Sequence, residues 1–125
     1  MFLGRGSLDG KTVLRPETVA MMAQNQIGGI NVGALKSVMP DSSADAEFFP
    51  GMVKKWGLGF MINTETAPTG RSAGSLAWAG LANTYFWIDP SKNIAGIILM
   101  QFLPFADPQA LQTFAEFESR LNKVA

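Results

Sequence analysis

A long stretch in the second half of the chain carries almost no charge, and it limits the folds that the sequence can adopt. Of the 35 residues from position 72 to position 106, only Asp89 and Lys92 are charged. Charged residues make up 16% of the whole chain of 125 residues, against about 25% in an average soluble domain. Such a stretch predicts strands or helices that other parts of a protein cover.

The charge-poor stretch is not predicted to cross a membrane. Its longest apolar run, residues 94–100, ends at Gln101 and Pro104, far short of the ~20 residues that a spanning helix needs. Residues 1–10 lack the apolar core and the small-residue cleavage site of a signal peptide. The sequence therefore predicts neither a membrane span nor an export signal, and it leaves the cytoplasm and the periplasm open as compartments.

The composition excludes several classes of function. Basic and acidic side chains number 10 each, so the formal net charge of zero gives no support for a nucleic-acid partner or an anionic membrane surface. The sequence contains no Cys and no His. Thiol nucleophiles, disulfides, His-based triads and zinc sites built on Cys or His are therefore excluded within this chain. No cofactor and no metal is predicted.

Apolar patterns and turn residues predict an antiparallel sheet of three to four strands. Residues 56–63 form one predicted strand, and residues 75–80 form a shorter one. Residues 82–88 and 94–102 are predicted to pair as a hairpin across the turn at residues 89–93. Both hairpin strands are apolar at nearly every position, which predicts that the sheet is covered on both faces.

Two helices are predicted to accompany the sheet. Pro16 begins a short helix, because proline at the first helical position lacks only an N–H that would have no partner there. The C-terminal helix begins at Pro108, after Asp107 as a strong N-cap. Its apolar stripe consists of Ala110, Phe114, Phe117, Leu121 and Val124. These elements predict an α+β fold of α/β/α layers, with the amphipathic C-terminal helix packed on the sheet.

Other groups that could carry chemistry are predicted to be ordinary surface. Glu116 and Glu118 lie two residues apart on the C-terminal helix and therefore diverge. The remaining acidic candidates lie in a loop and are Asp41, Asp45 and Glu47. Lys54 and Lys55 are predicted to be solvated as well. The nearby Phe48 and Phe49 are predicted to anchor their loop to the core.

Several short motifs follow one another in an order that resembles a known group of enzymes. Residues 75–90, SLAWAGLANTYFWIDP, are followed by a second apolar strand and an amphipathic helix, and they are preceded by LDGK at 8–11 and PETV at 16–19. In this order the motifs resemble the C-terminal part of the serine β-lactamase, penicillin-binding protein and family VIII esterase superfamily. The resemblance implies that residues 1–125 are a C-terminal fragment of a β-lactamase-like (transpeptidase-like) domain, with an incomplete form of that fold.

The resemblance also implies one wall of an active site, at Trp78, Ala79 and Gly80. These residues match the third active-site motif of the superfamily, Lys-Thr-Gly on an edge strand beside the catalytic serine. A Trp in place of the Lys is similar to the esterase branch, since an indole offers apolar contact where Lys would bind the carboxylate of a β-lactam. Gly80 would let the substrate lie against the strand, and the backbone N–H of Leu81 would be one of two oxyanion-hole donors. Without the resemblance, Trp78 in an apolar strand indicates a core aromatic residue.

The nucleophile and the base of that superfamily have no match in this sequence. No serine is followed by a lysine three positions later, so the S-x-x-K motif is absent. The single tyrosine, Tyr85, is followed by Phe86 and Trp87, so Tyr-x-Asn or Tyr-x-Ser is absent too. The resemblance thus implies part of a serine hydrolase, carboxylesterase-like, acting on a small-molecule ester or a β-lactam, with no activity in this chain alone. The alternative is a non-catalytic truncated relative that acts as a binding or oligomerising module.

The last expectation concerns partners. In the superfamily, the strand that matches residues 94–102 pairs with an N-terminal strand, so its outer edge is predicted to be bare here. A bare and apolar edge favours pairing with another chain. We therefore expect self-association, or pairing with a missing N-terminal part.

Overall fold

A five-stranded antiparallel sheet and a helix packed on it dominate the computed structural model, which describes residues 1–124. The elements in chain order are β1 (Ser7–Leu8), β2 (Lys11–Thr12), α1 (Pro16–Met22), β3 (Lys54–Trp56), β4 (Met61–Asn63), β5 (Leu76–Gly80), β6 (Thr84–Asp89), β7 (Ile94–Ile98) and α2 (Pro108–Val124). Strands β3 to β7 lie side by side in chain order, and β1 and β2 form a separate pair. The predicted α+β class and antiparallel sheet are confirmed, with five strands in place of three to four.

The additional strand comes from residues 56–63, for which the prediction of a single strand is wrong. They contribute to two strands, β3 and β4, joined by a tight turn in which the Gly57 N–H donates to the Phe60 carbonyl at 2.8 Å. Gly59 in this turn has φ +93°, a conformation that favours glycine. A Cβ on Gly57 would lie 2.2 Å from the Met22 carbonyl oxygen at the end of α1. These glycines therefore serve a chain reversal and a close backbone approach.

The hydrophobic core lies between the sheet and α2. Tyr85 and Trp87 point from β6 toward the helix and are almost fully buried. The Phe114 ring stacks on Tyr85 at 4.9 Å between centroids and meets Trp87 edge-on at 5.8 Å. A Cβ on Gly96 of β7 would lie 2.1 Å from the Trp87 indole, so this glycine makes room for the ring. The predicted packing of the C-terminal helix on one face of the sheet is confirmed.

Helix α2 begins as its sequence predicts. The Asp107 carboxylate accepts hydrogen bonds from the N–H groups of Gln109 and Ala110, at 2.9 and 3.1 Å. The apolar stripe packs on the sheet as far as Leu121. Its fifth member, Val124, is 83% exposed and takes no part in the core.

The second face of the sheet is covered only in part. Side chains alternate along a strand, so Leu76 lies on the face opposite to the α2 core, and there it borders a cavity together with Val19 of α1. Near the outer strand this cover ends, because Ile97 and Leu99 are 57% and 74% exposed. The expectation of cover on both faces is therefore wrong for β7. This strand pairs only with β6 among the described residues, so its outer edge is bare as predicted.

A buried ion pair joins α2 to the irregular segment before β5. The Arg71 guanidinium and the Glu118 carboxylate are both almost fully buried and in direct contact. The Thr69 hydroxyl donates to the same Glu118 oxygen at 2.8 Å, and the Phe49 ring lies under the guanidinium at 4.9 Å. Burial raises the pKa of Glu118, although Arg71 and Thr69 oppose the shift. The prediction of a solvated Glu118 is wrong, whereas Glu116 is exposed as expected.

Lys54 and Lys55 are also not the solvated surface that was predicted. Lys54 is only 2% exposed, and its ammonium donates to two backbone carbonyls of residues 49–52, at 3.0 and 2.9 Å. The Lys55 ammonium donates to two carbonyls of residues 28–30, at 2.9 and 2.8 Å. The two lysines therefore hold two irregular segments onto β3.

Asp89 is buried at the end of β6 and holds the turn that follows. Its carboxylate accepts hydrogen bonds from the N–H groups of Ser72 at 2.8 Å, Ser91 at 3.0 Å and Lys92 at 3.1 Å. Burial by itself raises the pKa of Asp89, but these hydrogen bonds favour the charged form and leave the pKa below its usual range.

We expect Asp89 to make the stability depend on pH in the acid range. Because its folded-state pKa lies below the unfolded value of about 3.9, it contributes stability that is present above about pH 4 and lost as the pH falls through the folded pKa. Asp89→Asn should therefore flatten the acid decline in the free energy of unfolding, measured by urea denaturation at several pH values. The exposed Asp41→Asn serves as the control. Equal acid declines in both variants and the parent would contradict this assignment.

Candidate functional site

Residues 78–80, the predicted active-site wall, form the second half of β5, and this half has a free edge. Strand β5 pairs with β6 along its whole length. Strand β4, on the other side, pairs with β5 only at Leu76 and Ala77. Within residues 1–124, β5 is therefore an interior strand at its start and an edge strand over residues 78–80. A ligand can approach its backbone along that edge.

The Trp78 indole is half-buried in an aromatic cluster. It meets the Trp56 ring edge-to-face, with 4.4 Å between centroids, and the Phe48 ring at 6.2 Å. Phe48 in turn lies 6.4 Å from Tyr85 and packs against the core, so the loop anchor predicted at this position is confirmed. The cluster fixes the orientation of the indole and leaves part of it exposed on the half-strand with the free edge.

Nothing in the fold itself requires a glycine at position 80. A Cβ on Gly80 would lie 3.7 Å from the Thr84 Cβ, an ordinary contact, and its φ lies outside the left-handed region. Gly57 and Gly96, in contrast, leave no space for a Cβ. Gly80 is exposed, so the space above its Cα is open. A strand glycine without a packing reason is typical of positions where a ligand or another backbone comes close.

Leu81 follows in the tight turn that joins β5 to β6. The turn is closed by the Asn83 N–H, which donates to the Gly80 carbonyl at 3.1 Å. Leu81 is 61% exposed, and its N–H donates no hydrogen bond among residues 1–124. An unpaired backbone N–H on an exposed turn is a donor that an anionic oxygen can use.

The described residues bring no nucleophile and base together. Among residues 1–124, no serine hydroxyl forms a hydrogen bond with a lysine ammonium, and the Ser7 hydroxyl donates only to the Lys11 backbone carbonyl. The Tyr85 hydroxyl donates to the Asn83 side-chain oxygen at 2.7 Å, and burial raises the pKa of Tyr85 to about 12. This tyrosine therefore stays protonated at neutral pH. No group of His, Cys, Asp and Glu side chains within residues 1–124 could hold a metal ion.

Comparison with protein families adds the decisive observation. A family model described as Beta-lactamase matches residues 9–119, most of the chain. The chain belongs to the beta-lactamase family. This membership confirms the resemblance to the serine β-lactamase and penicillin-binding protein superfamily that the motif order indicated.

Solved structures share the fold of this beta-lactamase-family chain. Unliganded simvastatin synthase (LovD) from Aspergillus terreus superimposes with a TM-score of 0.71 and 22% identity, over 97% of this chain and 31% of that one. A penicillin-binding protein homolog from Caulobacter crescentus gives 0.58 and 19%, over 94% and 29%. The chain thus spans less than a third of the length of these neighbours. Curated protein sequences contain no match, and within residues 1–124 no helix is long and apolar enough to cross a membrane.

Two features of this region were missed by sequence reasoning. Trp56 contacts Trp78 because the chain reverses at residues 57–60, and the closely spaced glycines there were the available signal. Asn83 closes the turn at Leu81 with φ +61°. Asparagine between two strand segments is a known signal for such a turn, whereas three of the four bonds of its side chain join it to residues distant in sequence.

Proposed function

We propose that residues 1–125 are the C-terminal part of a β-lactamase-family serine hydrolase, carboxylesterase-like, that supplies one wall of the active site. The observation that carries the proposal is the pair Gly80 and Leu81. An open space above a glycine is followed directly by an unpaired N–H, at the end of a half-strand with a free edge. An ester lying against this edge would have a donor for its carbonyl oxygen.

In the proposed reaction, this chain supplies some of the active-site groups, and residues outside it supply the others. A serine activated by lysine and tyrosine would attack the ester carbonyl, and negative charge would develop on the carbonyl oxygen. The Leu81 N–H would donate to that oxygen and thereby lower the barrier, because the interaction strengthens in the transition state. Trp78 would line the acyl or leaving-group pocket. Esters are favoured over β-lactams because an indole carries no charge to bind a carboxylate.

Hydrolysis is expected only when the chain is joined to a segment with S-x-x-K and Tyr-x-Asn or Tyr-x-Ser. The reading frame upstream of Met1 should encode such a segment, and the longer product should hydrolyse p-nitrophenyl butyrate, while the 125-residue chain should not. Replacing the Leu81 amide by an ester linkage should lower kcat about 10²–10³-fold, as for loss of one oxyanion donor.

The control is the same amide-to-ester replacement at Val38, which is 93% exposed. Neither the Val38 N–H nor the preceding Ser37 carbonyl forms a hydrogen bond among the described residues. This replacement should leave kcat unchanged. An upstream frame without these motifs, or an unchanged kcat after the replacement at Leu81, would refute the proposal. Faster turnover of nitrocefin than of the ester would overturn the preference for esters.

Self-association is the second part of the proposal, and it also fits the alternative of a non-catalytic binding module. It is supported by the bare outer edge of β7 and by the exposure of Ile97 and Leu99. Unpaired backbone groups beside exposed apolar side chains favour the addition of a strand from another chain. In the longer protein, the N-terminal part would occupy the same edge.

We expect the 125-residue chain to sediment as a dimer or larger species at tens of micromolar. Ile97→Lys should shift it toward the monomer, because a charge at an edge strand opposes pairing. Val38→Lys is the control, since Val38 is 93% exposed and belongs to the irregular segment between α1 and β3. A monodisperse monomer of the parent chain would contradict the expectation.

A further inference from the structure

The turn that carries Leu81 is attached to the rest of the fold by one buried side chain. Asn83 is 0% exposed although it lies in a surface turn. Its φ of +61° lies in the left-handed region, which asparagine tolerates better than most residues. Leu81, two positions earlier, contributes an exposed side chain that cannot hold the turn in place.

The Asn83 amide uses its full hydrogen-bonding capacity inside the protein. Its nitrogen donates to the carbonyls of Phe102 and Pro104, at 2.9 and 2.8 Å. Its oxygen accepts from the Tyr85 hydroxyl at 2.7 Å and from the Asp107 N–H at 3.3 Å. Only a side-chain amide can donate twice and accept twice in this arrangement. The prediction that β7 extends to residue 102 is wrong, and the chain beyond Ile98 bonds to this asparagine and its neighbours instead.

These four bonds connect the turn to three separate parts of the fold. They reach β6 through Tyr85, the segment after β7 through Phe102 and Pro104, and the start of α2 through its N-cap residue Asp107. A donor that stabilises a developing charge is effective only when it is already in place before the reaction. The backbone of this turn is held in place although its Leu81 N–H remains unpaired.

We infer that Asn83 is a positioning residue that holds the Leu81 N–H in place as an oxyanion donor. The inference rests on the proposed function, because it assigns Asn83 a role through Leu81. A merely structural asparagine would affect the stability of the fold but not the mobility of this one N–H or the turnover of each folded enzyme molecule.

Asn83→Gly is the informative variant, because glycine accepts the positive φ and removes all four side-chain bonds. The chain offers a matched control in Asn93→Gly. Asn93 has φ +55° in the turn between β6 and β7, and its side chain makes no hydrogen bond among the described residues. Both variants therefore replace an asparagine of positive φ by glycine in a hairpin turn.

The first experiment measures the Leu81 N–H directly in the 125-residue chain by ¹⁵N relaxation. We expect an order parameter of about 0.85 in the parent and in Asn93→Gly, and below about 0.6 in Asn83→Gly. A mobile Leu81 N–H in the parent, or an unchanged value in Asn83→Gly, would overturn the inference. If Asn83→Gly does not fold, Tyr85→Phe removes one of the four bonds and should lower the order parameter by less, and no change would again overturn it.

The second experiment uses the longer active enzyme and counts active serines by the burst of p-nitrophenol. Asn83→Gly should lower kcat per titrated serine about 10-fold or more, with KM within about twofold. It should add little to the effect of the Leu81 ester linkage, since both act on one donor. If the Leu81 ester linkage leaves kcat unchanged, the proposed function is refuted, and the inference with it. If the ester linkage lowers kcat but Asn83→Gly keeps the kcat of the parent, only the inference is refuted.

Discussion

Glu118→Ala is expected to lower the free energy of unfolding by about 3–5 kcal/mol, because it leaves the buried Arg71 guanidinium without its counter-charge. Both groups are almost fully buried, and burial already lowers the pKa of Arg71 despite the neighbouring carboxylate. The Thr69 hydroxyl would lose its acceptor in the same variant. Urea denaturation at neutral pH measures the change.

Glu116→Ala is the matched control, since Glu116 lies on the same helix and is exposed. It should change the free energy of unfolding by no more than about 0.5 kcal/mol. Replacing both partners by apolar side chains, as in Arg71→Met with Glu118→Leu, should recover much of the loss, because no charge then remains buried. A small effect of Glu118→Ala, similar to that of Glu116→Ala, would show that water reaches the pair.

Trp87→Ala is expected to have a similar effect, about 3–5 kcal/mol, through the cavity that it leaves. The indole is 0% exposed, and it packs against Phe114 and Phe117 of α2 and over Gly96. Its N–H has no hydrogen-bond partner among residues 1–124, so the loss comes from packing alone. Trp87→Phe should therefore retain much of the stability.

The comparison for Trp87 is Phe86→Ala, which truncates a half-buried aromatic residue on the opposite face of the same strand. Its cost should be clearly smaller, since less apolar area returns to water. Chemical denaturation of both variants, with the slope compared to that of the parent, measures the difference. Equal losses would mean that the core does not lie between the sheet and α2.

The elements that sequence reasoning predicted correctly depend on neighbours in the chain. Helix α2 has its cap at Asp107 and an apolar stripe at regular spacing, and the β6–β7 hairpin has its turn residues between two apolar runs. The error at residues 56–63 has the opposite origin. Gly57 lies against the Met22 carbonyl at the end of α1, about 35 positions earlier in the chain, and the local strand pattern does not show this close approach.

The candidate site also combines features that local sequence predicts with features that depend on contacts between distant residues. Its motif, residues 78–80 followed by Leu81, was identified from the order of short segments along the sequence. The free edge, the space above Gly80 and the unpaired Leu81 N–H depend on where β4 stops pairing and on the buried bonds of Asn83. Hydrogen bonds between distant residues leave no periodic signal in a sequence, so these features could not be predicted.

By itself, the sequence determined the α+β class, the capped C-terminal helix, the charge-poor sheet and the order of motifs that marks the family. Those properties follow from local spacing and composition. Only the tertiary structure decided that Glu118 is buried, since it looks like a surface residue until the Arg71 guanidinium and the Thr69 hydroxyl from another segment satisfy it. The physical reason is that a charge is buried only where partners offset the loss of water, and here those partners are distant in the sequence.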